Sequence, residues 1–261
     1  MTQWSGMVPA GDSALAVHDT GGPGIPVIYL NGHVATRGNW RRVITDLGPG
    51  WRHITYDMRS RGKSKPSADH SFATNVDDVD TVLTARGVDR ALLVGWSYGA
   101  FAAAYWAARN PDRAIGAVLV DGAQPYDWID EIDIEGMRKL WRRLGLLMTL
   151  LRPLGLTPRM TAEQMADSNI EVGEIGRERT LGPVLDSITV PVRYVNASGT
   201  SLGSKGDQQE RIRAGLTRVV ARNPNIKISA KVPSNHGAIL RKDFRAVADA
   251  VREVAVTSVP H

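Results

Sequence analysis

The feature that most constrains this chain is a glycine-flanked serine that directly follows a short apolar run. Residues 91–94 read Ala-Leu-Leu-Val, which predicts a buried strand, and Gly95-Trp96-Ser97-Tyr98-Gly99 follows at once. A sharp strand-to-helix turn leaves almost no room for side chains two positions before and after the serine, so glycine suits both places. Residues 100–109 then predict a helix with small alanines that can lie close to a sheet. We therefore predict a turn that exposes the Ser97 hydroxyl, with an inert serine in a plain turn as the alternative.

Strand and helix patterns alternate along most of the chain. The predicted strands cover residues 7–10, 14–18, 26–30, 52–56, 91–94, 115–120, 190–195 and 226–232, and the predicted helices cover residues 39–47, 73–86, 100–109, 137–151, 210–220 and 244–254. Gly11-Asp12 has the composition of a hairpin turn, whereas helices separate most of the later strands. This order predicts an α/β fold with a mostly parallel, doubly wound sheet, whose functional loops follow the C-terminal ends of its strands.

One stretch departs from the alternation. Residues 126–187 show helical patterns without strands, and the strand pattern resumes only after them. We therefore predict a core formed by residues 1–125 and 188–261, with residues 126–187 inserted as a helical cap over the sheet.

Composition excludes several classes of protein. The 261 residues contain no cysteine, so disulfides, thiolate metal sites and a cysteine nucleophile are excluded. The formal charge of +5 is spread along the chain without a basic stripe, so nucleic-acid binding is not predicted. Residues 1–11 do not resemble a signal peptide, and no apolar run approaches the roughly 20 residues of a membrane span. We predict a cytoplasmic protein without a membrane span; its oligomeric state stays open, with a homodimer as one option.

Four motifs together carry a resemblance to a known family. They are Leu30-Asn31-Gly32-His33, Asp57-Met58-Arg59-Ser60-Arg61-Gly62-Lys63-Ser64, the serine turn and Asn235-His236. In order and spacing the chain resembles the α/β-hydrolase family over nearly its whole length, as a serine-nucleophile, lid-bearing member of the esterase and lipase kind. The resemblance implies an eight-stranded sheet with an inserted helical lid, a Ser–acid–His triad and no cofactor; no metal site is predicted. An aspartate in place of Ser97 would suggest epoxide or haloalkane chemistry, whereas serine indicates acyl transfer.

A serine nucleophile needs a base, because its hydroxyl is poorly nucleophilic at neutral pH. Histidine suits this role since its pKa lies near the working range. Of the six histidines, His236 alone lies in the glycine-containing loop that directly follows the last predicted strand, downstream of Ser97. We predict that His236 is the catalytic base.

The acid partner is ambiguous in the sequence. The family's usual acid follows the strand at residues 190–195, where Thr200 stands about where an aspartate is expected. Asp121, at the end of the strand after the nucleophile helix, and Asp207 remain, and some lipases of similar fold carry their acid at the earlier position. We favour Asp121 and keep Asp207 as the alternative, because geometry rather than sequence position decides which acid holds the imidazole.

A tetrahedral intermediate requires two hydrogen-bond donors, each typically worth about 3 kcal/mol of barrier. The Tyr98 N–H supplies one in such a turn, and the loop after the strand at residues 26–30 supplies the other. There the chain reads Asn31-Gly32 where relatives often have His-Gly, so we predict the His33 N–H as second donor, with Val34 next. The His33 side chain either packs or faces the pocket.

The predicted substrate contacts come from the loop after residues 26–30, the serine turn and the predicted cap. The side chains predicted to bind substrate are Asn31, Val34, Trp96, Leu140 and Leu144, the last two from a leucine-rich helix face that either lines an apolar acyl pocket or packs the cap. The leading prediction is a serine hydrolase that cleaves an ester or lactone of a small, apolar molecule. The alternatives are C–C bond hydrolysis or a cofactor-free cyclisation in the same pocket, and a ligand receptor without turnover.

Overall fold

A single mixed sheet of eight strands forms the centre of the protein in a computed structural model that describes residues 2–127, 134–151, 157–199 and 208–258. The strands are β1 (Trp4–Ala10), β2 (Ser13–Asp19), β3 (Ile25–Leu30), β4 (Trp51–Tyr56), β5 (Ala91–Trp96), β6 (Ala114–Val120), β7 (Val192–Ala197) and β8 (Ile226–Val232), in the order β1-β2-β4-β3-β5-β6-β7-β8. The first two strands form an antiparallel hairpin, β2 pairs antiparallel to β4, and the remaining neighbours run parallel. The predicted α/β class and mostly parallel sheet are confirmed.

Helices cover both faces of the sheet. They are α1 (Arg41–Leu47), α2 (Phe72–Ala85), α3 (Tyr98–Arg109), α4 (Ile134–Leu151), α5 (Ala162–Ile175), α6 (Glu178–Asp186), α7 (Gln208–Arg222), α8 (Ile239–Lys242) and α9 (Phe244–Thr257). Apolar residues of α2, α3, α6 and α7 form one core with one face of the sheet, and those of α1, α8 and α9 form a second core with the other. The central strands are therefore buried on both sides, which explains their unbroken apolar runs.

Local signals explain where several of these elements begin and end. The side chain of Ser71 caps α2 by accepting a hydrogen bond from the Thr74 N–H, and Gly48 follows α1 with a φ of 71°. Elements in the described residues differ from the predicted bounds by one to three residues at many ends, because terminal turns lack the apolar periodicity that reveals a helix interior. The chain at Arg37–Trp40 forms a short 3₁₀ helix, and α8 has no counterpart in the prediction.

An inserted helical region lies between β6 and β7, as predicted. It contains α4, α5 and α6. The last of these helices, α6, buries Leu181 and Leu185 in the same core as α3 and α7. It is therefore packed as part of that core, although the predicted cap extended to residue 187. The helices that extend away from the core are therefore α4 and α5, and the predicted boundaries of the cap stay a prediction.

The sheet topology brings the predicted functional loops to one edge. The residues that follow β3, β5, β6 and β8 include Asn31, Ser97, Asp121 and His236, respectively. Because parallel strands end at the same edge of a sheet, these loops meet there, beside the point where the insert begins.

None of the helices in the described residues is both long and apolar enough to cross a membrane.

Candidate active site

The serine turn has the strained geometry that its sequence predicts. Ser97 lies between β5 and α3 with φ 55° and ψ −119°, a conformation that few non-glycine residues adopt. Its N–H donates to the Val120 carbonyl at 3.0 Å, which ties the turn to β6. A β-carbon on Gly99 would collide with the Leu30 carbonyl, and one on Gly95 would collide with the Gly99 carbonyl. Both glycines are thus required by close backbone approach.

Three of the predicted catalytic side chains lie within hydrogen-bond distance of one another. His236 Nε2 is 2.9 Å from Ser97 Oγ, and His236 Nδ1 is 2.7 Å from Asp121 Oδ2. The imidazole therefore lies between a hydroxyl and a carboxylate, with one ring nitrogen towards each. This arrangement allows a proton to move from Ser97 to His236 while the carboxylate stabilises the resulting imidazolium.

Backbone contacts to β7 hold Asp121 in place. Its N–H donates to the Val195 carbonyl at 2.9 Å, and its Oδ1 accepts the Ala197 N–H at 3.0 Å. The backbone at Asp121 has φ 45°, so it is the second non-glycine residue of the site in the left-handed region. Oδ2 is thereby left facing His236. Asp207, the alternative acid, and Thr200 lie outside the described residues.

The loop after β3 lies next to Ser97, since a β-carbon on Gly32 would be 3.4 Å from Ser97 Cβ. Its carbonyls are used: Gly32 O accepts the Ala35 N–H at 3.0 Å, and His33 O accepts Arg61 Nε at 2.6 Å. No acceptor for the N–H groups of His33, Val34 or Tyr98 is found within the described part of the chain. These are the groups predicted to hold an oxyanion, with Tyr98 as one donor and His33 or Val34 as the other.

The His33 side chain joins this loop to the insert. Its Nε2 lies 3.0 Å from Ser168 Oγ, and its Nδ1 lies 3.4 Å from Asn169 Nδ2, both on α5. The ring also contacts Tyr98, with centroids 5.5 Å apart. Burial lowers the pKa of His33 to about 3, so the imidazole is neutral at physiological pH. Of the two options for His33, packing between core and insert is the one seen.

The other predicted substrate residues have different surroundings. Asn31 is buried, and its amide bonds to Tyr56 O at 2.6 Å and to Trp40 Nε1 at 2.8 Å, so both ends of the side chain have protein partners. The Trp96 ring contacts His236 with ring centroids 5.5 Å apart and the two planes tilted by 34°. The exposed side chains are Val34 at 53%, Leu140 at 54% and Leu144 at 37%. Whether any of these residues touches a substrate stays a prediction.

Sequence reasoning missed the part played by the loop at residues 57–64. The sequence analysis used it as one of the motifs that carry the family resemblance and gave its side chains no role, yet they are largely buried. Asp57 accepts the Arg37 N–H at 2.8 Å and the Lys63 N–H at 2.9 Å, and Arg61 reaches the loop after β3. The signal was the density of charged residues in a segment between two buried elements, since buried charges need specific partners.

Metal ligands do not cluster in the described ranges: no group of three His, Asp or Glu side chains there is placed to hold an ion.

A protein-family model described as the α/β hydrolase fold matches residues 25–154, which is about half of the chain. The chain belongs to the α/β-hydrolase fold family. The match begins at β3 and includes the serine turn and Asp121, while His236 lies beyond it.

Solved structures of similar fold cover almost the whole chain. A thermophilic esterase from Thermogutta terrifontis, with malate bound, superposes with a TM-score of 0.73 at 19% identity over 99% of both chains. The enol-lactonase from Burkholderia xenovorans gives a TM-score of 0.69 at 17% identity, covering 96% of this chain and 100% of that one. At such identities the likeness shows the fold alone.

Similarity to characterised sequences is higher but covers less. A haloalkane dehalogenase from Mesorhizobium japonicum is 30% identical over 139 residues, 52% of this chain and 45% of the relative. A 2-hydroxymuconate semialdehyde hydrolase from a Pseudomonas strain is 35% identical over 112 residues, 41% of this chain and 39% of the relative. The matched part thus spans less than half the length of these curated relatives.

Proposed function

We propose that this protein is a serine hydrolase that cleaves a carboxylic ester or a lactone through an acyl-enzyme on Ser97. The observation that carries the proposal is the position of His236, 2.9 Å from Ser97 Oγ and 2.7 Å from Asp121 Oδ2. Those distances match the requirement for an activated nucleophile whose base is oriented by a third group.

Each side chain has a defined role in this mechanism. Ser97 Oγ attacks the acyl carbon while His236 Nε2 takes its proton, and the Tyr98 and His33 N–H groups stabilise the oxyanion. His236 then gives the proton to the departing alkoxide. Water, deprotonated by His236, attacks the acyl-enzyme and releases Ser97. The Asp121 carboxylate accepts the hydrogen bond from His236 Nδ1–H and so orients the imidazole.

The nucleophile argues against the chemistry of the dehalogenase relative. Displacement of a halide by Ser97 Oγ would leave an ether on the enzyme, and an ether has no acyl carbon for water to attack. A carboxylate nucleophile instead leaves an ester, which water can hydrolyse. Acyl transfer is therefore the reaction that serine supports at this position.

The second candidate is C–C bond hydrolysis of a β-diketone-like substrate by the same residues. The similarity to the semialdehyde hydrolase favours it. A cofactor-free cyclisation also remains open, and a ligand receptor without turnover is the alternative outside catalysis. The exposed leucines of α4 support an apolar substrate, since Leu140 and Leu144 offer apolar surface on the insert.

The test is labelling with a fluorophosphonate probe followed by peptide mass mapping, on the wild type, Ser97→Ala and His236→Ala. We expect labelling at Ser97 in the wild type and none in either variant. A panel of p-nitrophenyl esters, lactones and vinylogous β-diketones then identifies the bond cleaved. Folded wild type that neither labels nor turns over any of these compounds would favour the receptor and reject the hydrolase.

A further inference from the structure

Arg61 is a buried cation that has no anionic partner among the described residues. Only 1% of its surface is exposed, and no carboxylate within the described residues forms an ion pair with it. Its neighbour Arg59 is also buried but is bound by both carboxylate oxygens of Asp78 at 2.8 Å. Because an isolated buried charge strongly destabilises a folded chain, a guanidinium in this state calls for a specific reason.

The contacts of Arg61 are with two backbone carbonyls. Nε donates to His33 O at 2.6 Å, and Nη1 donates to Arg59 O at 2.9 Å, while Nη2 has no hydrogen-bond partner. The first contact reaches across 28 positions of sequence to the loop that offers the predicted oxyanion donors. The second fixes the guanidinium plane against its own loop.

The contact with His33 sets the direction of a peptide group. In a trans peptide, the carbonyl and the N–H of the next residue point in opposite directions. Holding the His33 carbonyl towards Arg61 therefore turns the Val34 N–H away from Arg61. The preceding peptide is held in the same way, because Gly32 O accepts the Ala35 N–H. Both candidate donors of the loop, His33 N–H and Val34 N–H, are thus oriented through their carbonyls.

The positive charge of Arg61 also favours stabilisation of the oxyanion by this loop. A cation bound to the carbonyl end of a peptide polarises that peptide and makes its N–H a stronger donor. The described residues supply no carboxylate that pairs with Arg61. The oxyanion that forms on attack by Ser97 would be a negative charge that Arg61 stabilises through the loop. Preorganised positive potential of this kind stabilises the transition state more than the neutral substrate.

We propose that Arg61 is a positioning residue of the active site, which orients and polarises the His33–Val34 peptide so that the Val34 N–H helps to stabilise the oxyanion. The proposal rests on the proposed function. The competing explanation is that Arg61 only braces the turn at residues 57–64, where its own N–H donates to Met58 O and its carbonyl accepts the Ser64 N–H.

The test compares Arg61→Met and Arg61→Lys with the matched control Arg59→Met. Arg59 is a second buried arginine two positions away, at 6% exposure, but its side chain contacts Asp78 and Asp12 rather than the oxyanion loop. For each protein we would measure kcat and KM on the best ester, and melting temperature. The inhibition constant of a boronic acid that forms a tetrahedral adduct on Ser97 and the affinity of an ether analogue of the same ester, which has no carbonyl, complete the set.

We expect Arg61→Met to lower kcat about 10- to 100-fold and to weaken the boronic acid by a similar factor, because both need the oxyanion donors. The affinity of the ether analogue stays within about twofold, since no oxyanion forms on it. Arg61→Lys keeps the charge but not the planar fork, so its kcat lies between those of wild type and Arg61→Met. The control variant Arg59→Met lowers the melting temperature without a matching loss of boronic acid binding.

Other outcomes would overturn the proposal. If Arg61→Met melts at a lower temperature but keeps kcat and boronic acid binding, Arg61 only braces the loop. Where Arg61→Met does not fold, Arg61→Lys decides by the same two readouts. Wild type that fails to turn over esters and to bind the boronic acid would reject the proposed function as well, whereas an active wild type with unaffected Arg61 variants rejects the Arg61 proposal alone.

Discussion

The sheet edge and the helical insert meet at the candidate site, but they are held there by different kinds of contact. At the sheet edge, main-chain hydrogen bonds to the next strand hold Ser97 and Asp121. The insert contacts the same loops mostly through side chains, among them Ser168 on His33 and Arg159 on the carbonyls of Gly62 and Ser64. One main-chain hydrogen bond, from the Arg159 N–H to the Ser60 carbonyl, adds to these contacts. Its outward helix leaves Leu140 and Leu144 exposed.

This difference assigns the proposed reaction to the sheet edge and the substrate preference to the insert. Main-chain contacts do not depend on side-chain identity, so the catalytic geometry is insulated from most substitutions in the insert. Side-chain contacts can change one residue at a time, so the insert is the part in which substrate preference can vary without loss of the proposed triad.

The largest effect should come from the sheet edge. We expect Ser97→Ala and His236→Ala each to lower kcat by about ten thousandfold or more, because the nucleophile and base act as one unit. Saturation kinetics on the best ester measures this, with exposed Ser187→Ala as a control of unchanged rate. Residual activity above a tenth of wild type in either variant would contradict the proposed chemistry.

Substitution of the two candidate acids tests whether the position of Asp121 at the end of β6 makes it the partner of His236. Asp121→Asn should lower kcat about a thousandfold to ten thousandfold, because the imidazole loses its orienting carboxylate. Asp207→Asn should change kcat by no more than about twofold. The same assay decides between them: a reversed pattern would assign the acid to Asp207, and two nearly active variants would show that the proposed triad is wrong.

A pH experiment compares His53, which is buried in the core, with His33, which lies between the core and the insert. Burial lowers the pKa of His53 to about 4 and that of His33 to about 3. The unfolded chain binds protons at these sites from about pH 6.5 downward, while the folded chain does not. The contribution of the two histidines to the free energy of unfolding is therefore complete above about pH 6.5 and is lost as the pH falls below it. Each histidine contributes a slope of up to about 1.4 kcal/mol per pH unit.

Urea unfolding at several pH values between 7.5 and 5 measures that slope, above the range in which most carboxyl groups titrate. His53→Gln should remove the part of the pH slope that comes from His53 and leave the part that comes from His33. Free energies of unfolding that do not change between pH 7.5 and 5 would mean that these histidines are accessible to protons in the folded state.

The smallest effect should come from the exposed face of the insert. Leu140→Ser and Leu144→Ser should raise KM for long-chain esters by a few fold, with the free energy of unfolding changed by less than about 0.5 kcal/mol. Leu181→Ala provides the contrast, since this buried leucine of α6 packs in the main core and its truncation costs about 2–5 kcal/mol. Unchanged KM across acyl chain lengths would place substrate elsewhere.

Much of the framework could be predicted from the sequence. The apolar run before Gly95-Trp96-Ser97-Tyr98-Gly99, the β1–β2 hairpin and the helical stretch before β7 all carry local signals, because strand and helix periodicity and turn chemistry depend on neighbouring residues. The position of His236 after the last strand was readable for the same reason. These features decided the fold class and the edge of the sheet where the loops meet.

Only the tertiary structure decided which side chains meet. Asp121 and His236 are 115 positions apart, and Arg61 and His33 belong to different loops, so no local pattern could pair them. Strand order places β6 beside β7 and β7 beside β8, so the loops that carry Asp121 and His236 meet. Arg61 is buried, and its guanidinium donates to the His33 carbonyl. Sequence determines local conformation through short-range sterics and periodicity, whereas the partners of buried charges depend on the packing of distant segments.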